Sequence, residues 1–324
     1  MSIGLSYFPP FFYFCNRTNQ KGTKDMKKLL FLLMLLTPLT ASAKKTIPVF
    51  ITAGQSNTDG RIGNELLPDY IQQNKYKHCY WCYNSGGHSM DGKFELFWPR
   101  IANRNKPGRW AYDAVTYYWL EQSLKEDFYV IKESLGGTAI DLSCGSTNKM
   151  YWCASPEYLD TVAASDKGGK SLLKALCENV DLAIDKSLSK MKGSYEFKAL
   201  LWHQGESDRH ASKNYYDNLK AVIAYIRQHL VEKTGDRKYA QLPVILGGIS
   251  HKSRGWTKGV EEAQKRLQAE DKNIYLVEVP NANMQKDNIH FDAEGGEILG
   301  RKVYNKLVDL RLAGKKAKRI PSLE

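Results

Sequence analysis

Five short apolar runs, at 47–53, 128–131, 197–202, 242–246 and 274–279, punctuate the chain, and none of them alternates with polar residues. A strand buried on both faces reads this way, because neither side of its pleat meets water. Between and after the runs, apolar positions return every three to four residues over 111–125, 172–188, 215–232, 260–270 and 293–310, the period of a helix with one buried stripe. Strands alternating with helices predict a three-layer α/β/α sandwich around a mostly parallel, five-stranded sheet. Such sheets collect their ligands beyond the carboxyl ends of the strands, so the residues just after each run are where chemistry is expected. Two stretches without either period, 66–108 and 143–169, are rich in Gly, Asn, Tyr and Trp and read as loops over that edge. No repeat or linker divides the remainder, which predicts one domain over 44–314.

The first 43 residues stand apart from this pattern. Lys27 and Lys28 precede an apolar run at 29–36, and Ala41, Ser42 and Ala43 close it, the order of a secretory signal peptide cleaved near Ala43. The run is shorter than the roughly 20 residues that span a bilayer, so no stable membrane insertion is expected after cleavage. Residues 1–25 precede a signal segment, 26–43, that opens with its own Met26, and they read as an overcalled translation start. The expected destination is the periplasm or the exterior of the cell.

Export changes the reading of charge and cysteine. Five basic residues and one acidic residue leave with the first 43, so the formal charge of +12 becomes about +8. Part of it lies in a basic tail, 315–324, with Lys315, Lys316, Lys318 and Arg319; a solvated tail accounts for these, and no nucleic-acid partner is expected. Outside the cytoplasm disulfides are permitted, and the pairings to test are Cys79 with Cys82 and Cys144 with Cys153. Cys177 shares a helical face with Leu173, Val180 and Ile184 and is expected to be a buried free thiol. Cys79 and Cys82 lack a second pair of ligands at zinc-site spacing, so no metal is expected.

Directly after the first run stand Gly54, Gln55, Ser56 and Asn57, then Thr58, Asp59, Gly60 and Arg61. A serine on a strand-to-helix turn is exposed beside backbone N–H groups, as a nucleophile must be, although a helix-capping serine occupies the same place. Near the other end, Asp287 and His290 are three apart, so a carboxylate can hold one imidazole nitrogen while the other faces outward as a base. Asp287 or Asp292 as a helix cap, with His290 at the surface, is the competing reading. Ester chemistry also needs donors for an oxyanion. Gly136 and Gly137, after the second run, permit close backbone approach, and Gln204, after the third, offers a side-chain amide. A tight turn and a helix cap explain these two segments equally well.

Taken together the four segments resemble the SGNH hydrolase superfamily, and within it the sialate O-acetylesterase and acetylxylan esterase branch grouped as carbohydrate esterase family six. The resemblance rests on G-Q-S-N at 54–57, G-G-T at 136–138, W-H-Q-G-E-S-D at 202–208 and D-N-I-H at 287–290, in the family's order across nearly the whole mature chain. It implies a flavodoxin-like sheet with Ser56 as nucleophile, His290 as base and Asp287 as its carboxylate partner. It further implies an oxyanion hole from the Ser56 and Gly137 backbone N–H groups and the Gln204 side chain. Gln55, Asn57 and Glu206 are expected in supporting roles, Glu206 orienting its loop rather than carrying protons. Two departures stand out: Gln204 replaces the asparagine of the wider superfamily, and Thr58 and Asp59 stand where many relatives have a hydrophobic and a small residue.

The expected activity is removal of O-acetyl groups from carbohydrate, acetylated xylan or a related polysaccharide, through an acyl-enzyme and without a cofactor. Acetylated sialic acid on host glycans is the alternative substrate, and a catalytically silent glycan-binding module the alternative class. The polar, glycine-rich loops argue against a lipid esterase. Tyr80, Trp81, Tyr83, Trp98, Trp110 and Trp152 lie in the irregular stretches, where they either stack on sugar rings or pack into the core.

Overall fold

The computed structural model describes residues 45–85, 88–99, 108–163 and 171–323. Residues 26–43, expected to be a signal peptide, and the residues before them lie outside the described residues.

All five expected strands form: β1 (Thr46–Gly54), β3 (Phe128–Ser134), β4 (Ser194–His203), β5 (Val244–Gly247) and β6 (Ile274–Val277). Their register is parallel throughout, in the order β6-β5-β4-β1-β3. The five-strand expectation needs correction, because a sixth parallel strand, β2 (Cys79–Ser85), continues the sheet beyond β3, with two short antiparallel segments, His88–Ser89 and Glu95–Leu96, along its outer edge. This strand lies inside the stretch expected to be loop. The buried carboxylate of Glu121 steers the chain into it, accepting from the backbone N–H groups of Lys77, His78 and Cys79 at 2.7 to 3.0 Å. Charge-assisted bonds of this kind are about twice as strong as neutral ones, enough to fix a strand entry whose sequence carries no long apolar run.

The five expected helices are present as α1 (Tyr112–Leu124), α2 (Leu172–Lys186), α3 (Tyr215–Thr234), α4 (Lys258–Glu270) and α5 (Ala293–Asp309). Their apolar stripes sort them onto two faces. Leu172, Leu176, Leu219, Ile223 and Val260 pack against Val49, Ile51 and Leu200 on one side of the sheet. Val115, Leu120, Leu299 and Val303 pack against Phe50, Val130 and Leu201 on the other. Side chains of β1 therefore enter both cores alternately, as a central strand requires. Caps mark several starts: Ser171, Thr257 and Asp292 accept from Lys174, Val260 and Gly295. Between these elements, 143–169 also carries an unexpected short helix, Pro156–Ala163.

The five cysteines at 79, 82, 144, 153 and 177 are free thiols. Pairing Cys79 with Cys82 is excluded by strand geometry, since three residues apart on β2 they face opposite sides: Cys79 enters the α1/α5 core, while Cys82 meets Asn179 of α2 at 3.2 Å. The basic tail is not loose. Asn305 exchanges hydrogen bonds with both backbone groups of Ile320 at 2.8 Å, Tyr304 donates to Lys318 O, and Arg319 pairs with Asp309. Its lysines are solvated, as expected, but on a backbone strapped along α5.

One buried carboxyl carries a stability prediction. Glu133, near the end of β3, is 3 % exposed, and its Oε2 has no hydrogen-bond partner among the described residues. Burial, with Asp59 and Glu178 nearby, outweighs a hydrogen bond from Asn84 and pushes its pKa up to about 8. Between about pH 4.5 and 8 the folded chain therefore holds a proton that the unfolded chain has released, and stability falls as pH rises through that window. Glu133→Gln removes this dependence. Its stability in denaturant titrations should gain on the wild type across the same window, by at most about 1.4 kcal/mol per pH unit.

Candidate active site

Sheet register brings three of the four sequence blocks to one edge. Gly54, the last residue of β1, is level with Ser134 of β3 on one side and His203 of β4 on the other. The chains leaving these strands, 55–61, 135–138 and 204–208, emerge side by side at the carboxyl edge, where β1 sits between its two crossovers. The close quarters require Gly54: a Cβ there would run into His203 O and lie 2.5 Å from Thr58 Oγ1. Ser56 opens a single helical turn, Ser56–Asp59, closed by Thr58 N and Asp59 N donating to Gln55 O at 2.9 and 2.8 Å. Thr58 is fully buried and donates to His203 O at 3.1 Å, so its hydroxyl fastens the turn to β4.

The second block lies against the Ser56 turn. A Cβ on Gly136 would sit 3.2 Å from Ser56 Cβ and would collide with the Arg61 guanidinium. Gly137 follows at φ +72°, where glycine is strongly favoured, and Thr147 N binds its carbonyl at 2.9 Å. No described residue accepts from the Gly137 N–H.

The fourth block forms the hydrogen bonds expected of a base and its orienter. Asp287 Oδ2 lies 2.6 Å from His290 Nδ1, while its Oδ1 accepts from Ile289 N at 2.9 Å and His290 N at 3.0 Å. Asp292, not Asp287, caps α5. Burial alone would raise the Asp287 pKa; the two backbone N–H groups and the His290 ring outweigh it and hold the carboxyl below its ordinary value. What joins this segment to Ser56 is Asn57. Its Nδ2 donates to Ile289 O at 3.2 Å and its Oδ1 accepts from Phe291 N at 3.1 Å, so the peptide groups on both sides of His290 are pinned to the residue beside Ser56.

Asn57 is itself held from below. Its Nδ2 also donates to Glu206 Oε1 at 2.8 Å, and His203 Nε2 lies 3.3 Å from the same oxygen, all of it buried. Burial works against a charge on Glu206, yet His203 and the Asn57 amide more than offset it, and the pKa lies below the ordinary glutamate value. The His203 ring is placed by Gly247 O, 3.0 Å from its Nδ1, and by Phe291 and Tyr112 against its faces. His203 had no assigned role in the sequence; the only signal was its place in the W-H-Q-G-E-S-D block.

Gln204 differs from its expected place in the oxyanion hole. Its side chain is fully buried, and Nε2 already has three acceptors around its two hydrogens: Gln55 Oε1 and Thr138 O at 3.1 Å, and Asp208 Oδ2 at 2.5 Å. Its Oε1 accepts from Tyr215 OH. Gln55 Oε1 also gathers Ser207 N at 3.3 Å, and Asp208 accepts from Ile140 N and Asp141 N. Gln204 thus knits the first, second and third blocks together, with its amide hydrogens spent on that task.

Beside the site runs a groove of about 660 Å³ lined by Arg61, Arg109, Gln285, Lys286 and Asp287 among others. Most of the aromatics considered for sugar stacking are elsewhere: Trp81, Trp110 and Trp152 are at most 1 % exposed, Tyr83 is buried on Trp81, and Tyr80 stacks on Tyr129. Trp98, 37 % exposed, is the most exposed of the six, with Lys75 Nζ 6.0 Å from its ring centroid and Tyr76 packed edge-on against it.

Residues 162–309, with the third and fourth blocks, match the family model described as carbohydrate esterase, sialic acid-specific acetylesterase. The resemblance read from the motifs is borne out by that match, and the matched family is one of carboxylic ester hydrolases. A probable carbohydrate esterase of Arabidopsis thaliana is 32 % identical over 108 residues, which are 32 % of this chain and 38 % of that protein. An X-ray structure of an Arabidopsis thaliana protein superposes with a TM-score of 0.58 at 20 % identity, over 82 % of this chain and 99 % of that one. NanS superposes at 0.52 with 12 % identity over 83 % and 98 %, and a carbohydrate acetylesterase of Xanthomonas citri at 0.51 with 15 % over 82 % and 56 %. At these identities the superpositions establish the shared α/β/α fold.

Proposed function

We propose that this chain, whose residues 162–309 match a carbohydrate esterase family model, is an exported serine esterase of the SGNH type that removes O-acetyl groups from carbohydrate. The observation that supports it most is the Asn57 clamp, which ties the segment of His290, already oriented by Asp287, to the turn that bears Ser56. Neutral His290 takes the Ser56 proton as Oγ bonds to the acetyl carbon, and negative charge develops on the former carbonyl oxygen. The Ser56 and Gly137 backbone N–H groups face that charge. Collapse of the intermediate breaks the ester C–O bond, and the sugar oxygen leaves with the proton from His290. Water, deprotonated by the same histidine, then releases acetate and restores Ser56.

Acetylated xylan or a related polysaccharide is the first substrate reading. Acetylated sialic acid is the second, favoured by the description of the matched family. Export is supported by the 26–43 segment alone. Acetate release from acetylated xylan and from O-acetylated sialic acid, measured side by side, decides the substrate. Failure to release acetate from either, or from p-nitrophenyl acetate, rejects the esterase reading in favour of a glycan-binding module.

A further inference from the structure

We infer that Arg61 is a further catalytic residue of this site, its NH2 group supplying the side-chain hydrogen bond to the oxyanion that the buried Gln204 amide does not. The inference rests on the acyl-transfer reading above. The Gln204 hydrogens point into the fold, toward Thr138 O, Gln55 and Asp208, and turning them outward would leave the buried Asp208 carboxylate and Thr138 carbonyl short of a donor. That leaves the Ser56 and Gly137 backbone N–H groups as the other donors, and the cation beside them is Arg61.

Its position is over-determined. NH1 donates to Asp59 Oδ2 at 2.7 Å and to Gly60 O at 2.6 Å, and Gln285 Nε2 holds the Arg61 carbonyl at 3.1 Å. The side chain is 22 % exposed, so the guanidinium is half-sunk yet open to the neighbouring groove. NH2 lies against the α-carbon of Gly136, where a Cβ would fall, and the next side-chain carbon over that spot is Ser56 Cβ. Among the described residues NH2 has no acceptor. The arrangement explains why residue 136 is glycine: any side chain would displace the guanidinium from the nucleophile.

The chemistry fits the placement. When Ser56 Oγ bonds to the acetyl carbon, the carbonyl electron pair moves onto oxygen, beside the Gly136–Gly137 turn. A guanidinium remains charged throughout the working pH range and gives a charge-assisted hydrogen bond, stronger toward O⁻ than toward the neutral ester. It therefore favours the transition state over bound substrate. Asp59 acts as a positioning residue, since its hold on NH1 fixes the direction of NH2.

The test uses Arg61→Gln and Arg61→Lys in the full chain, assayed on p-nitrophenyl acetate, an ester without charge, and on binding of methylboronic acid, which forms a tetrahedral anionic adduct on an activated serine. Arg61→Gln is expected to lower kcat by about 100- to 1,000-fold with KM changed by less than about 3-fold, and to weaken methylboronic acid in parallel. Arg61→Lys should recover part of both. Unchanged kcat on the neutral ester, with a raised KM only for acidic acetylated sugars, overturns the proposal in favour of substrate anchoring. A fall in kcat that tracks a lower thermal midpoint, with methylboronic acid affinity unaffected, overturns it in favour of a structural role. Wild-type activity is read first: an inactive wild type rejects the esterase reading and this proposal together, whereas an active wild type matched by an equally active Arg61→Gln rejects this proposal alone.

Discussion

Replacing Ser56 with Ala is expected to lower kcat/KM on p-nitrophenyl acetate by about 10⁴- to 10⁶-fold while leaving the thermal midpoint within about 2 °C. The separation of the two effects follows from what holds the turn. Its shape is set by the Gln55 carbonyl, by Thr58 on His203 O and by the glycine at 54, and none of these depends on the Ser56 hydroxyl. His290→Ala should cost a similar factor, and the double variant little more than either, because nucleophile and base act as one unit. Kinetics beside thermal melts check this, and activity of Ser56→Ala within tenfold of wild type would refute the nucleophile.

Asn57→Ala should damage both stability and rate. It deprives Glu206, Ile289 O and Phe291 N of partners at once, two of them in buried surroundings. Unsatisfied buried groups cost about 1 to 3 kcal/mol each, and partial relaxation should leave a net loss of about 2 to 4 kcal/mol in denaturant titrations. With the segment around His290 unpinned, kcat/KM should fall by about 100-fold or more, the penalty of a misplacement near 1 Å. Asn57→Asp, nearly the same shape, should be worse than Ala because it sets a carboxylate against Glu206. A destabilised Asn57→Ala with undiminished kcat would show that the clamp serves the fold and not the chemistry.

The strands and helices were legible because their apolar residues follow the burial they undergo, as in 47–53, where both faces are covered. β2 was not, since Cys79, Tyr80, Trp81, Cys82, Tyr83 and Asn84 mix thiols, rings and amides, and the fixing contact, Glu121, is over 40 positions away. At the site, Asp287 and His290 could be paired from spacing because one local turn builds their contact. Gln204 could not be placed, because a side-chain amide is an oxyanion donor or a structural bolt according to its neighbours, and those neighbours come from Gln55, Thr138 and Asp208. The aromatics divide for the same reason: Trp152 and Trp98 look alike in the chain, and only packing distinguishes a core ring from an exposed one.

The central place of β1 in the sheet has a consequence for biosynthesis. Among the described residues it is the first of the six parallel strands to be made, yet both of its neighbours, β3 and β4, come much later in the chain. At about 5 to 20 residues per second, the ribosome leaves this strand without a pairing edge for several seconds. During that interval an uncharged, largely apolar segment is available to other nascent chains, and Pro48, which cannot donate into a ladder, is the residue within it that opposes such pairing.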